Sequence, residues 1–456
     1  MPLRCMVRSK SDERGEMPTS TVFRLSPSTA EHGTGGVIRG DIKSRRPKDE
    51  VRIAVLCRVL WNGGVQRVAI AEVEELRARG YTCDLYFLRA IPSAVYSLPP
   101  RTKILERTPP GRLSPIRKFS RAVTSSFASH RGLDASVDLD LLWRFRRLAL
   151  EYPVVVYTDQ YAALLGIYLR LTRGRPYVMF LQEFFPRESR GFAARTMRPL
   201  ASLLDFVSIL IAPKIVTHSG QIVSRINKLV PERALLARLG APSQDSQPIH
   251  PISRHRHVLS ITVWDKGRHP ELYLELARLL PEFHFTLAGM WAQSEYLAEF
   301  RRRAASVTNL EVTGTISEQR RLELLRKCPI YLRMGYSEAG PGMGGLEALA
   351  SGRIVICNRE LGLAEIITSG VDGFVVDHSD PTELADLLRR IDGMSQGEVN
   401  AISLAARQLA QGTSWKKHVD AIEEAVLFAL DSRDRNHAAA LPRELGRAEG
   451  TFGERR

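Results

Sequence analysis

Four glycines stand between two carboxylates in the stretch SEAGPGMGGLE. Gly340, Gly342, Gly344 and Gly345 lie between Glu338 and Glu347. An apolar run, Ile330 to Met334, precedes them, and a short Ala- and Leu-rich run follows as far as Gly352. The pattern predicts a strand, a pliant turn and a helix start. Glycines let backbone N–H groups come close to a ligand, and a helix N-terminus adds unpaired donors and partial positive charge. Such a turn suits a phosphate, and carboxylates suit sugar hydroxyls. Together they point to a nucleotide sugar. Two other readings of the same residues stand beside it. Gly340, Gly342 and Gly345 match G-x-G-x-x-G, and Glu360 closes the next apolar run, as in a dinucleotide site. Pro341 inside the turn and Gly352 soon after it weigh against that reading. The third is a structural turn in which Glu347 serves only the helix dipole.

Other residues able to do chemistry sit where apolar runs end. Gly63 and Gly64 follow VRIAVLCRVL. Lys266 and Arg268 follow HVLSITV in the loop WDKGRHP, where cations would neutralise a diphosphate, Arg in two-pronged fashion. Gln182 and Glu183 end PYVMFLQEF, and His218 and Ser219 end KIVTHS. Each has a plainer alternative: a simple turn, a basic surface loop, or a polar group satisfied by its own loop.

The elements that must position these residues alternate between strand-like and helix-like runs, which predicts an α/β fold with parallel sheets. Residues 1–50 are polar and rich in Ser, Gly and Pro, and are expected to be disordered. Residues 51–240 read as one Rossmann-like half, with a helix from Val65 to Arg79 stopped by Gly80. Residues 241–256 hold three prolines and read as a linker. Residues 257–412 read as a second Rossmann-like half, in which Pro381 opens a helix. A closing helix is expected over 413–430 and a disordered tail over 431–456. In such a fold the carboxyl edges of the two sheets face each other across a cleft.

The 456 residues carry a net charge of +15, which favours anionic partners. Basic residues concentrate in Pro99–Arg131 and Leu142–Tyr152. The second stretch, with Trp143, Phe145 and leucines, suits an anionic membrane surface or, more plainly, a solvated face. No nucleic-acid-binding motif accompanies the charge, so nucleic acid is not expected as a partner. The five cysteines are scattered with no C-x-x-C pair. That usage predicts reduced thiols and a cytoplasmic setting, the inner face of the membrane included. No metal-binding motif appears. The most apolar run, Leu203 to Val216, is too short to span a bilayer.

These motifs resemble the retaining glycosyltransferases of family 4, which have the GT-B fold, over roughly Val51 to Leu430. SEAGPGMGGLEALASGRIVICNRELGLAEIITSGVDGFVVDHSDPTELADLL is similar to that family's paired-acid region, alanine-rich helix, strand and G-x-x-E turn. VRIAVLCRVLWNGGVQR is similar to its opening strand and GG-x-x-R loop, WDKG to its lysine loop, and TSW to the start of a helix that crosses back to the first domain. The resemblance implies transfer of a sugar from a nucleoside diphosphate sugar, as co-substrate and without a further cofactor, to a glycan or lipid-linked acceptor. It implies that Glu347 holds the donor ribose and that Glu338 lies near the transferred sugar. Gly342, Met343 and Gly344 would offer backbone N–H groups, Lys266 would contact the diphosphate with Arg268 beside it, and Gly64 would approach the phosphates. The region of Gly314 and Ile316 would read the base. Glu183 is the candidate general base. Three departures stand out: eight residues separate Glu338 from Glu347, one more than in the family; Ile261 stands where an arginine is usual; and Gln182 and Glu183 replace a histidine. These leave open a non-catalytic sugar-nucleotide-binding homologue or an epimerase of the same fold.

Overall fold

A computed structural model describes residues 47–61, 63–90, 97–106, 139–182, 202–203, 205–241, 256–335, 340–377 and 380–449, with side chains as far as Arg433. Glu183, Glu338, residues 1–46, residues 242–255 and most of Pro99–Arg131 lie outside them. The segment expected to be disordered up to residue 50 already holds a short 3-10 turn at Lys48–Glu50.

The first half is a seven-stranded parallel sheet in the order β3-β2-β1-β4-β5-β6-β7. Its strands are β1 (Arg52–Leu60), β2 (Thr82–Ala90), β3 (Thr102–Glu106), β4 (Val154–Tyr157), β5 (Tyr177–Phe180), β6 (Lys214–Thr217) and β7 (Ala234–Leu236). The second half is a six-stranded parallel sheet, β10-β9-β8-β11-β12-β13. It is built from β8 (His257–Ile261), β9 (His284–Ala288), β10 (Leu310–Gly314), β11 (Ile330–Arg333), β12 (Ile354–Asn358) and β13 (Phe374–Val376). Strands such as IVICN are buried along their whole length, the signature of a parallel sheet covered on both faces. In each sheet the strand order reverses beside the first strand, at β1 against β4 and at β8 against β11. Open α/β sheets bind ligands outside the carboxyl ends of the strands at such points.

The helices begin and end where local chemistry dictates. Helix α1 (Gly64–Ala78) stops at Gly80, whose φ of +94° suits glycine, and Tyr81 N–H bonds back to the Leu76 carbonyl. Helix α2 (Leu139–Ala149) follows β3, and α3 (Ala163–Arg173) joins β4 to β5. In α4 (Gly220–Leu229) the Ser219 hydroxyl caps the Ile222 N–H. The second half carries α5 (Pro270–Leu279), α6 (Ser294–Ala304), α7 (Glu318–Lys327) and α8 (Met343–Ala350). These are followed by α9 (Pro381–Asp392), opened by Pro381 behind an Asp380 cap, and α10 (Gln396–Gly412).

Two expectations change. The closing helix, α11 (Trp415–Glu449), runs well past residue 430, even though that stretch includes Pro442 and Gly446. In the basic stretch Leu142–Tyr152, Leu142 and Phe145 are buried in the core against α3 and the sheet, because a helix on a sheet face must bury its apolar stripe. Trp143, Arg144, Arg147 and the acidic Glu151 look outward. The four described cysteines, Cys57, Cys83, Cys328 and Cys357, are free and buried, and burial pushes each thiol up to about 12.

Helix α11 crosses back onto the first half. Val419, Ile422, Ala425, Val426 and Ala429 join the core cluster that holds Val55, Val156 and Val178. His418 is fully buried with Nε2 3.0 Å from Glu72 Oε1 of α1, while Nδ1 faces the Ala237 carbonyl at 3.1 Å. At the surface, Glu423 accepts from Lys48 Nζ (2.6 Å), Tyr81 Oη (2.7 Å) and Arg79 Nη1 (2.6 Å). Burial opposes ionisation of Glu423, but the bonds from Lys48, Tyr81 and Arg79 outweigh it and hold its carboxyl below the usual value. The folded-state value lies below the unfolded one of about 4.3, so this stabilisation is present at neutral pH and fades as pH falls through the folded value. Glu423→Gln should cost about 2 kcal/mol at neutral pH. Thermal melts across pH should show the gap from the parent chain closing in acid; a gap independent of pH would contradict the assignment.

Candidate functional site

The carboxyl edges of the two sheets meet, and those sequence-predicted residues that the structure describes lie along them. Gly63 caps α1 after β1, and Gly64 is the first residue of that helix. Gly342 caps α8 with φ of +67°, in the region that favours glycine, and Met343 and Gly344 open that helix. The two helix starts are adjacent: a Cβ on Gly64 would lie 3.6 Å from Met343 Cγ. Gly344 is packed so closely that a Cβ would fall 2.4 Å from Tyr331 Oη and 3.0 Å from the Ile261 carbonyl. Both glycine-led helix starts therefore bring backbone N–H groups and partial positive charge to one place.

Glu347 lies in the second turn of α8 and is 1% exposed. Its Oε1 pairs with Arg67 of α1 and its Oε2 with Arg321 of α7. Arg321 also pairs with Glu318. Burial lowers the Arg321 value, but the Glu347 and Glu318 carboxylates outweigh it and the net shift is upward. The acid is therefore oriented by one cation from each half, which the sequence did not reveal. Arg67 had a signal, as the arginine of GG-x-x-R. Arg321, within EQRRLELLRK, had none.

Other bonds hold the loop and the two edges. Asn358, at the end of β12, exchanges two hydrogen bonds with Gly335 at the mouth of the glycine loop, donating at 2.7 Å and accepting at 3.1 Å. Asn358 also donates to the exposed Glu360, so in the dinucleotide reading that acid is tied to its own loop. Glu365 reaches across to the first half, accepting from Ser219 Oγ (2.7 Å) and Gly220 N–H (2.9 Å) at the start of α4. Gly340 abuts His218: a Cβ there would lie 2.2 Å from Nε2. On the first-half edge Asp159 pairs with Arg58 at 2.8 Å and caps the Ala162 N–H, and Gln182 donates to the Thr158 carbonyl.

Lys266 and Arg268 form a short 3-10 turn after β8, at the same edge. Lys266 is exposed, with its ammonium 5.8 Å from the Tyr296 ring centroid. Arg268 is buried and lies against Gly335. Gly314 ends β10 with φ of +76°, and Ile316 packs against the cluster holding Ala348 and Leu349 of α8. Glu338 and Glu183 lie outside the described residues. The larger cavity in the second half, about 900 Å³ and lined by His257, His284 and Lys327, opens at the opposite, amino edge of the sheet. The fold's ligand rule does not place a donor there.

Comparison with known proteins bears on this arrangement. Residues 245–398 match the family model of glycosyl transferases group 1. No curated protein matches the chain. Among solved structures, sucrose-phosphate synthase from Thermosynechococcus elongatus superposes with a TM-score of 0.64 at 16% identity, covering 86% of this chain and 100% of that one. HepE of Anabaena, in complex with UDP and glucose, gives 0.59 at 14% identity over 86% of this chain and 99% of its own. WaaG, a glycosyltransferase involved in lipopolysaccharide biosynthesis, gives 0.60 at 15% identity over 82% and 99%. At these identities the likeness speaks to the fold, which is GT-B. Residues 245–398 thus match the glycosyl transferases group 1 model within a chain of that fold.

Proposed function

We propose that the chain is a retaining glycosyltransferase that moves a sugar from a nucleoside diphosphate sugar to an acceptor hydroxyl, in cell-surface glycan or glycolipid synthesis. The observation that carries this reading is the meeting of two glycine-led helix starts, at Gly64 and Met343, beside the oriented carboxylate of Glu347. The diphosphate lies between the helix starts, with backbone N–H groups of Gly342, Met343 and Gly344 as donors and Lys266 and Arg268 as cations. Glu347 takes the ribose. A carboxylate has about four acceptor positions, so Arg321 can keep one oxygen while ribose replaces Arg67 on the other. That exchange requires the two edges to part as the donor enters.

The hard step is departure of the diphosphate, where negative charge grows. Preorganised donors and cations aimed at that charge lower the barrier most. Closure of the two halves then excludes water from the activated sugar. Attack from the same face as the departing phosphate gives retention without a protein nucleophile, and Glu183 is assigned the proton from the acceptor. Glu338 contacts the transferred sugar. The HepE complex holds UDP and glucose, which supports a nucleotide-sugar ligand for this fold.

The acceptor is lipid-linked in this reading, and the chain docks on an anionic bilayer. Among the described residues no helix is long and apolar enough to cross a membrane. The docking face is that of Trp143, 52% exposed, with its ring tilted against Tyr168 and lying under the Arg146 guanidinium. Replacing Trp143 and Arg147 with alanine should reduce co-sedimentation with anionic vesicles several-fold, since each basic residue near such a surface is worth about 1 kcal/mol. Equal sedimentation would remove membrane docking.

The donor assignment is tested by calorimetric titration with a panel of nucleoside diphosphate sugars. Glu347→Gln keeps the shape of the side chain and should weaken donor binding about tenfold to a hundredfold, the worth of hydrogen bonds to a charged group. Glu347→Ala is less informative, because the buried Arg321 and the half-buried Arg67 would lose every bond to that side chain, at a cost of about 3 kcal/mol or more. Lys266→Ala should lower turnover about a hundredfold with a smaller change in KM. Tight donor binding without any turnover would favour the non-catalytic homologue, and unchanged affinity in Glu347→Gln would reject the ribose role.

A further inference from the structure

A second cluster of cations sits at the other end of the first sheet, where β5, β6 and β7 begin. There a cavity of about 510 Å³ opens between the amino edge of the sheet and α11. Lys214 starts β6, Arg233 immediately precedes β7, and Arg170 stands in the last turn of α3; all three line it. Phe428 and Ser432 of α11 form a wall.

The cations are held in place without being neutralised. Lys214 is 9% exposed; its ammonium donates to the Glu232 carbonyl and lies 4.6 Å from the Phe428 ring centroid. Arg233 donates to the carbonyls of Ala212 and Leu210. Among the described residues, no carboxylate comes within 4.0 Å of the side-chain nitrogens of Lys214, Arg170 or Arg233. Glu232, the one acid in the lining, is exposed and forms no ion pair with a described residue. Arg175 and Arg433 add to the positive charge: burial and then repulsion from Arg433 hold the Arg175 guanidinium below its usual value.

Lys214 is buried and Arg170 and Arg233 are half-buried, so three like charges gather round one opening with no described carboxylate to offset them, which costs free energy. One anion between them would relieve that repulsion. Arginine forks match phosphate oxygens, lysine is a point charge for them, and the volume lies within the range of small-ligand sites. We propose that this cavity binds a phosphate group, with Lys214, Arg170 and Arg233 as its cations. It is separate from the glycine-loop site and independent of the sugar-transfer reading, because no residue is shared.

The phosphate belongs either to a soluble phosphorylated molecule or to a lipid headgroup, and one experiment separates them. The full chain is labelled with the arginine reagent phenylglyoxal, alone, with pyrophosphate, and with phosphatidylcholine vesicles containing phosphatidate. Labelling is then mapped by peptide mass spectrometry. At a tenfold excess over Kd, labelling of Arg170 and Arg233 should fall about tenfold. Protection by pyrophosphate identifies a soluble ligand, and protection by vesicles alone identifies a headgroup. Protection should persist in Lys266→Ala and Glu347→Gln, and pyrophosphate should raise the melting temperature of those variants but not once Arg170→Glu/Arg233→Glu is added to them. Equal labelling under all three conditions overturns the proposal, as does protection that disappears with Lys266→Ala. The parent-chain labelling decides the matter even if the double variant fails to fold.

Discussion

A buried carboxylate cannot stand alone, and that constraint on Glu347 governs how the two halves of this protein meet. The acid sits in the core of the second half, yet one of its two cations, Arg67, belongs to the first. Removing either arginine would leave charge in a place water hardly reaches. The apolar contacts follow the same line. Met343 and Leu346, both on α8, are counted in the first half's core cluster rather than in that of their own sheet. Helix α8 is therefore shared property, positioned from both sides.

A second acid repeats the arrangement. Glu365 caps the start of α4 across the same boundary. In both cases a carboxylate of the second half answers positive charge on the first, once at a guanidinium and once at a helix N-terminus. The starts of α1 and α8 are both electropositive and face one another, an arrangement that an anion between them relieves. Electrostatics thus favour closure around a negatively charged ligand, and Glu347 and Glu365 supply the attraction that holds the edges near each other without one.

The architecture was legible because parallel strands buried on both faces leave unbroken apolar runs such as VRIAVLCRVL and IVICN, and turn glycines mark where they stop. Gly64, Gly342 and Gly344 could be picked out as turn glycines, and the structure places all three at helix starts on one edge; close packing demands glycine at 344 and a positive φ favours it at 342, while position 64 has room for a side chain. Arg321 could not, because nothing in its own helix distinguishes it from Arg320, one residue earlier, which pairs with Glu323 on the surface. Its role is set by a partner from α8, a tertiary fact. The basic stretch at α2 misled in part for a related reason: an amphipathic helix has the same pattern whether its apolar side meets lipid or a sheet, and here Leu142 and Phe145 meet the sheet. The length of α11 was likewise unreadable from periodicity, since the residues after 430 are polar and alanine-rich without an apolar stripe.

The crossing of α11 has a temporal consequence. A ribosome delivers the first sheet well before Trp415 to Ala429, yet those later residues complete the earlier sheet's interior and bring His418 to Glu72. Until they emerge, the face of β4, β5 and β6 that they will cover stays open to water and to other chains. The first half cannot mature domain by domain as it is synthesised. It waits, partly built, until the whole second half has followed it.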